Sequence, residues 1–149
     1  NDKKRIIRVL EIYHKTGRTK TQQEKESRKN EVKYNFKVFA ISMDRNKLYE
    51  KIEKRVDQMI EQGLVEEVKC IMKKYSHFPT AMQGLGYKEV VEFLQGKSTK
   101  QEMIDKIKKE TRHYAKRQLT WFRRNKEIIW LDGEKSIEEN IDLIINKYN

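Results

Sequence analysis

KIKKETRHYAKRQLTWFRRNK, residues 106–126, decides how the rest of the chain is read. It carries nine Lys or Arg (106, 108, 109, 112, 116, 117, 123, 124 and 126) against one acid, Glu110. The stretch reads as part of one long basic helix, in which residues three and four apart share a face. Arg112, Lys116 and Arg123 fall on one stripe, with His113, Arg117, Thr120 and Arg124 beside it. Ile104, Ile107, Thr111, Tyr114, Gln118 and Trp121 form the opposing, mostly apolar line. Such one-sided charge suits a polyanion, and the aromatic side chains suit stacking on bases. Composition alone leaves a second reading open, a solvated basic face with Trp121 and Phe122 as core anchors. For Trp121 the core role is the expectation.

Outward from this helix, the composition agrees. The 149 residues fit one domain or a piece of a larger one, and carry a net charge of +11 with only 36% hydrophobic residues. That balance favours a surface built for an anionic partner. No apolar run is long enough to span a membrane, and there is no signal-peptide core. The single Cys70 cannot form an internal disulfide, which suits a reducing cytosol. Lying in a helical run with Val68 and Ile71, it is expected to be a buried, inert thiol. Three scattered His and one Cys give no zinc spacing.

The pattern along the chain is helical with two strands. Residues 2–16 form a helix on Ile6, Leu10 and Tyr13, stopped by Gly17. Thr21-Gln22-Gln23-Glu24 fits a capping box, opening a very polar helix to about Asn30. Residues 34–43, YNFKVFAISM, read as a strand. Asp44 caps a helix from 45 to 62 on the stripe Leu48, Ile52, Arg55 and Met59, and Gly63 breaks it. Further helices are expected over 64–75 and 87–94, separated by a loop holding the only proline, Pro79. Ser98 or Thr99 caps the long basic helix. EIIWL, 127–131, is a second strand, and Ser136 caps a last helix with Ile137, Ile141 and Ile144 or Ile145 turned inward. The fold class is α/β, predominantly helical, at the edge of a layered fold, with a seam near residues 31–34.

Three ordered blocks carry a resemblance. Thr111-Arg112, then Tyr114-Ala115-Lys116-Arg117-Gln118, then Thr120-Trp121-Phe122-Arg123, is similar to the C-terminal signature of the tRNA dimethylallyltransferase family. Residues 1–11, NDKKRIIRVLE, resemble that family's Asn-Asp-x-x-Arg-x-x-Arg-Ala-Leu-Glu block, and Gly84 to Glu89 its Gly-Tyr-Lys-Glu block. The resemblance implies a P-loop NTPase or kinase-like core with a helical insertion, residues 1–31 ending the insertion and 32–149 forming the C-terminal part of the core. It also implies transfer of a dimethylallyl group from dimethylallyl diphosphate to the exocyclic amine of the adenine beside the anticodon. No G-x-x-x-x-G-K-[ST] loop occurs in the chain. The resemblance therefore implies a C-terminal portion, inactive alone, with the phosphate loop and the base outside it. No catalytic residue and no metal ligand is assigned within it.

The candidate site residues divide in two. Arg55 lies within an apolar stripe, where a guanidinium needs an anionic partner, either an internal carboxylate or a phosphate. The resemblance implies that it holds the diphosphate of the prenyl donor, with Mg²⁺ held mainly by the diphosphate and the other half of the family's sequence. By resemblance the tRNA anticodon stem-loop is touched by Lys4, Arg5, Ile6, Ile7 and Arg8. The same holds for Gln83, Gly84, Leu85, Gly86, Tyr87 and Lys88. A third run is Lys116, Arg117, Gln118, Leu119, Thr120, Trp121, Phe122 and Arg123. From the residues alone, Arg5 and Arg8 are a solvated basic edge, and the two glycines are an interhelix turn or a place of close ligand approach. The expected protein is a cytoplasmic monomer. The alternative to the transferase is a non-catalytic basic RNA-binding module.

Overall fold

The structure, a computed structural model, describes residues 2–27, 29, 34, 36–75 and 81–148. It forms two compact units, residues 1–36 and residues 37–149. The expected end of the polar helix at Asn30 and the loop around Pro79 lie outside the described residues.

The first unit holds α1 (Lys3–Thr16) and α2 (Lys20–Ser27). Asp2 caps α1, its Oδ1 accepting the Arg5 N–H at 3.3 Å, and Gly17 closes it at φ 65°. The capping box of α2 sits two residues earlier than expected. Thr19 Oγ1 accepts the Gln22 N–H at 3.3 Å, and Gln22 Oε1 accepts the Thr19 N–H at 2.8 Å. Thr19-x-x-Gln22 meets the same rule as Thr21-x-x-Glu24, and it caps a helix already running at Lys20. Neither helix buries a residue.

The second unit runs β1 (Phe39–Ser42), α3 (Arg45–Glu61), α4 (Leu64–Lys74), a 3-10 turn (Ala81–Gln83), α5 (Tyr87–Leu94), α6 (Lys100–Phe122), β2 (Ile129–Asp132) and α7 (Ile137–Tyr148). β1 and β2 pair in parallel, from Phe39 opposite Ile129 to Ser42 opposite Asp132. Both strands are shorter than the apolar runs that announce them, because only four residues of each find a partner. Gly133 closes the end of the pair. Its N–H donates to the Ser42 carbonyl at 2.7 Å, and a Cβ there would meet Ile41 Cγ2 at 2.8 Å.

The core sits among α3 to α6, where Val56, Leu64, Val68, Val90, Met103 and Ile107 are buried together. Burial of side chains of this size stabilises by about 1.5–3 kcal/mol each. Helix ends are fixed by side chains. Asp44 Oδ1 accepts the Asn46 and Lys47 N–H groups at 2.8 and 3.2 Å. Thr99, not Ser98, caps α6 in a reciprocal box with Glu102. Ser136 and Glu139 form the same box at α7.

Three apolar expectations are overturned. Cys70 is exposed, on the outer side of α4, rather than buried. Ile137 and Ile141 of α7 are 75% and 46% exposed rather than turned inward, and of the pair Ile144 and Ile145 it is Ile144 that is half-buried while Ile145 is 52% exposed. The inward line of α6 also differs after Thr111. It continues through Ala115, Leu119 and Phe122, and leaves Tyr114, Gln118 and Trp121 on the outside. The expected line advanced 14 residues from Ile107 to Trp121 in four steps, a period of 3.5. A straight helix turns once in 3.6 residues and drifts off such a line by about 20° per heptad. Leu119 and Phe122 are reached by following that drift.

Candidate RNA and diphosphate interface

Every part of the candidate site in the second unit is carried by the helical core. α6 packs against α3 through two ion pairs. Lys108 Nζ lies 2.7 Å from Asp57 Oδ1, and Arg112 Nη1 lies 2.5 Å from Glu53 Oε1. A third pair, Lys106 with Glu92 at 2.5 Å, ties α6 to α5. The hydrogen bond between them holds the Glu92 carboxyl below its usual range and the Lys106 ammonium above its own. Lys106, Lys108 and Arg112 therefore have their charge answered within the protein, whereas Lys100 and Lys109 have no ion pair among the described residues.

The C-terminal end of α6 and the residues just past it differ. Lys116, Arg117, Arg123 and Arg124 have no ion-pair partner among the described residues, and all four are exposed. Arg117 is steadied over the Tyr114 ring, with Cζ 5.8 Å from its centroid. Trp121, expected in the core, is 66% exposed. Its ring meets Phe122 edge-on at 5.1 Å. Lys116, Arg117, Thr120, Trp121 and Arg124 together line an open cleft of about 320 Å³. On the other side, Lys116, Leu119, Thr120 and Arg123 line a cleft of about 230 Å³ with Met43, Arg45, Leu48 and Tyr49. Gln118, Leu119 and Phe122 border an apolar cavity of about 390 Å³ against β1.

Arg55 is exposed rather than buried, so the cost of a desolvated guanidinium does not arise. No described carboxylate pairs with it. It lines a cleft of about 190 Å³ with Ile52, Val56 and Met59 of α3, Leu85 and Gly86, and Ile107 and Thr111 of α6. Arg55 thus shares a cleft with part of the 83–88 run, a juxtaposition that the linear sequence does not display.

Within that run, Gln83, Gly84, Leu85 and Lys88 are exposed and Gly86 is buried. Gly86 has φ 92°, open to glycine and strained for any other residue. Its N–H donates to Oε2 of the fully buried Glu89 at 2.8 Å. Lys88 Nζ lies 3.3 Å from Glu89 Oε1. Tyr87 donates its hydroxyl proton to Glu67 of α4, which pushes the phenol up and spends its donor inside the fold.

In the first unit, Arg5 Nε lies 3.3 Å from Asp2, and Arg8 Nη1 lies 3.3 Å from Glu11. Both guanidinium groups are solvated and paired on their own helix, and Lys4 is exposed. Ile6 and Ile7 are 56% and 55% exposed.

Sequence reading missed Arg45 and Tyr49, which gather beside Arg112. Arg45 and Arg112 approach Tyr49 with Cζ at 5.2 and 5.9 Å from the ring centroid, and Arg45 Nε donates to the Tyr49 hydroxyl at 3.1 Å. The i,i+4 spacing of Arg45 and Tyr49 on a capped helix was the available signal. Among the described residues, no group of three or more His, Cys, Asp or Glu comes together to hold a metal ion. None of the described helices is long and apolar enough to cross a membrane.

Comparison with known proteins adds the family. Residues 1–125 match the IPP transferase family model. A tRNA dimethylallyltransferase of Natranaerobius thermophilus is 50% identical over 99% of this chain and 46% of its own length. Another, of Carboxydothermus hydrogenoformans, is 45% identical over 99% of this chain and 48% of its own. The chain thus spans about half the length of these curated relatives. The crystal structure of a tRNA isopentenylpyrophosphate transferase from Staphylococcus epidermidis superposes with a TM-score of 0.74. It is 35% identical, and the match covers all of this chain and 49% of that one. A eukaryotic dimethylallyltransferase, described as acting on tRNA, superposes with a TM-score of 0.77 at 27% identity, over 99% of this chain and 41% of that one. Matched in sequence over most of its length and in fold over all of it, the chain belongs to the IPP transferase family.

Proposed function

We propose that this chain is the RNA-gripping portion of a tRNA dimethylallyltransferase. It moves a dimethylallyl group from dimethylallyl diphosphate to the exocyclic amine of the adenine beside the anticodon, with the base flipped out of its stack. The observation that carries the reading is the division of charge along α6. Lys106, Lys108 and Arg112 are paired with carboxylates of neighbouring helices, whereas Lys116, Arg117, Arg123 and Arg124 have no ion-pair partner among the described residues, and three of them share a cleft with an exposed Trp121. Phosphates of an anticodon stem-loop meet those cations, which position the RNA, and an unpaired base finds an aromatic face. The exposed members of the 83–88 run extend the contact, and Lys4 to Arg8 add to it from the first unit, the end of a helical insertion.

Arg55 is the donor's diphosphate ligand. Its exposed fork lies at a cleft and lacks a carboxylate, so it is available to phosphate oxygens. There it offsets the charge of the leaving diphosphate. Magnesium ligands would have to come from the diphosphate and from outside the described residues. The phosphate loop and the base that assists the amine belong to the part of the relatives that this chain does not span. The protein works as a monomer in the cytoplasm. A bare RNA-binding module is the weaker reading, since it gives Arg55 and its cleft no task.

The test is transfer of a radiolabelled dimethylallyl group to tRNA by the complete enzyme that carries this chain. Arg55→Ala should raise KM for the donor and lower kcat while leaving tRNA affinity unchanged. Normal donor KM and kcat in the variant would remove Arg55 from the site. Absence of transfer by the unaltered enzyme would overturn the function.

A further inference from the structure

Arg45 opens α3 and is exposed, yet its guanidinium is held in place. Its Nε donates to the Tyr49 hydroxyl at 3.1 Å, and its Cζ stands 5.2 Å from the centre of that ring. Arg112 approaches the same ring, with Cζ at 5.9 Å. Two guanidinium groups on one ring repel each other unless anions answer them. Glu53 answers Arg112. At the start of α3, Asp44 accepts the Asn46 and Lys47 N–H groups, and Glu134 holds the Lys47 ammonium. Among the described residues, no carboxylate pairs with Arg45. A cation in the first turn also opposes the helix dipole, so Arg45 does not serve α3 itself. Arg45 and Tyr49 line one cleft with Lys116, Thr120 and Arg123, and no acid lines it. The Thr120 hydroxyl donates to the Lys116 carbonyl at 2.8 Å. The cations at this cleft thus converge from the start of α3 and the end of α6 with their charge unanswered.

We infer that Arg45 is a further RNA-contacting residue, which shares one backbone phosphate with Arg123, and that Tyr49 is its positioning residue. The inference rests on the reading of α6 as the RNA-gripping helix. With Nε held by Tyr49, the two terminal nitrogens of Arg45 are left for phosphate oxygens, and a planar fork meets two of them at once. Lys116 and Thr120 also line the cleft that holds Trp121. The RNA strand then crosses α6 at Lys116, with an unpaired base on the Trp121 side and a phosphate on the Arg45 side. Such a contact fixes the register of the strand without reading its sequence.

The experiment gives the complete enzyme carrying this chain a set of anticodon stem-loops, each with one phosphate replaced by a neutral methylphosphonate. Arg45→Ala should raise KM for the intact stem-loop about tenfold, as for loss of a charge-assisted hydrogen bond, and leave KM for the prenyl donor unchanged. It should also remove most of the penalty of one methylphosphonate, the same one that Arg123→Ala affects. Tyr49→Phe should show a smaller loss, which disappears when residue 45 is already Ala. Unaltered stem-loop KM in Arg45→Ala overturns the proposal. So does a loss spread evenly over every methylphosphonate position. A raised donor KM with normal stem-loop KM assigns the site to a small diphosphate and overturns the RNA contact. If Arg45→Ala does not fold, Arg45→Gln gives the same comparison. Failure of the RNA-gripping reading is seen separately, as Arg117→Ala with unaltered stem-loop affinity.

Discussion

Replacing Arg117 by Ala should flatten the salt dependence of tRNA binding by a calculable amount. Four cations at the C-terminal end of α6 and just past it, Lys116, Arg117, Arg123 and Arg124, have no ion-pair partner among the described residues, and each is counted as one phosphate contact. Each contact contributes about 0.7–0.9 to the slope of log K against log salt, so four give a slope near −3. Between about 50 and 200 mM salt the unaltered protein then loses roughly 50- to 150-fold in affinity, and the three-contact variant roughly 20- to 40-fold. The control is Lys108→Met. Lys108 is already neutralised by Asp57 and only 19% exposed, so its loss should leave the slope alone. Fluorescence anisotropy of a labelled anticodon stem-loop across a salt series measures both. An Arg117 variant with an unchanged slope, or a Lys108 variant with an equal fall, refutes the division of charge along α6.

Other consequences are open to simpler assays. Gly86→Ala meets no atom within 4 Å of the new Cβ, so its cost is backbone strain alone, about 1–3 kcal/mol. An unaltered urea midpoint would mean that the turn relaxes freely. Ile107→Ala removes a side chain only 1% exposed and should cost about 2–5 kcal/mol in the same unfolding experiment. A loss well under this range would place Ile107 outside the cooperative core. Acid should loosen the fold. The Lys47 N–H holds Asp44 below the carboxylate range, the Lys106 ammonium does so for Glu92, and the Thr99 N–H for Glu102. Depressed folded values contribute stability above the unfolded values, near 3.9 for Asp and 4.3 for Glu, and that stability is lost as pH falls through them. Helical circular dichroism should therefore decline below about pH 4, and a flat signal to about pH 2 would contradict the assignment.

Which parts were legible follows from what each signal encodes. Asp44, Thr99 and Ser136 reveal helix starts, because a cap is a contact between near neighbours in the chain. α3, α4 and α5 follow their apolar period. The period identifies which side of a helix is apolar but not what covers it, hence the exposed isoleucines of α7. Strand runs overstate β1 and β2 because pairing is decided by a distant partner. For the site, the basic run was plain, but its paired and unpaired halves were not. That division depends on Glu53, Asp57 and Glu92, which stand on other helices. Arg55 was singled out for burial and found exposed, and its nearness to Leu85 and Gly86 emerges only when α3, α5 and α6 pack.

The register of the two strands has a consequence for how the molecule assembles. Each residue of β1 is matched to one exactly ninety positions later, as 129 − 39 gives for the first pair. α3, α4, α5 and α6 all lie inside that loop. Loop closure grows costlier by only about 0.6 kcal/mol for each doubling of length, but a pairing this remote cannot form early on its own. The helices between the strands must first draw the ends together. The sheet is then a clasp fastened last, over a helical body in which Arg55 and α6 have already met.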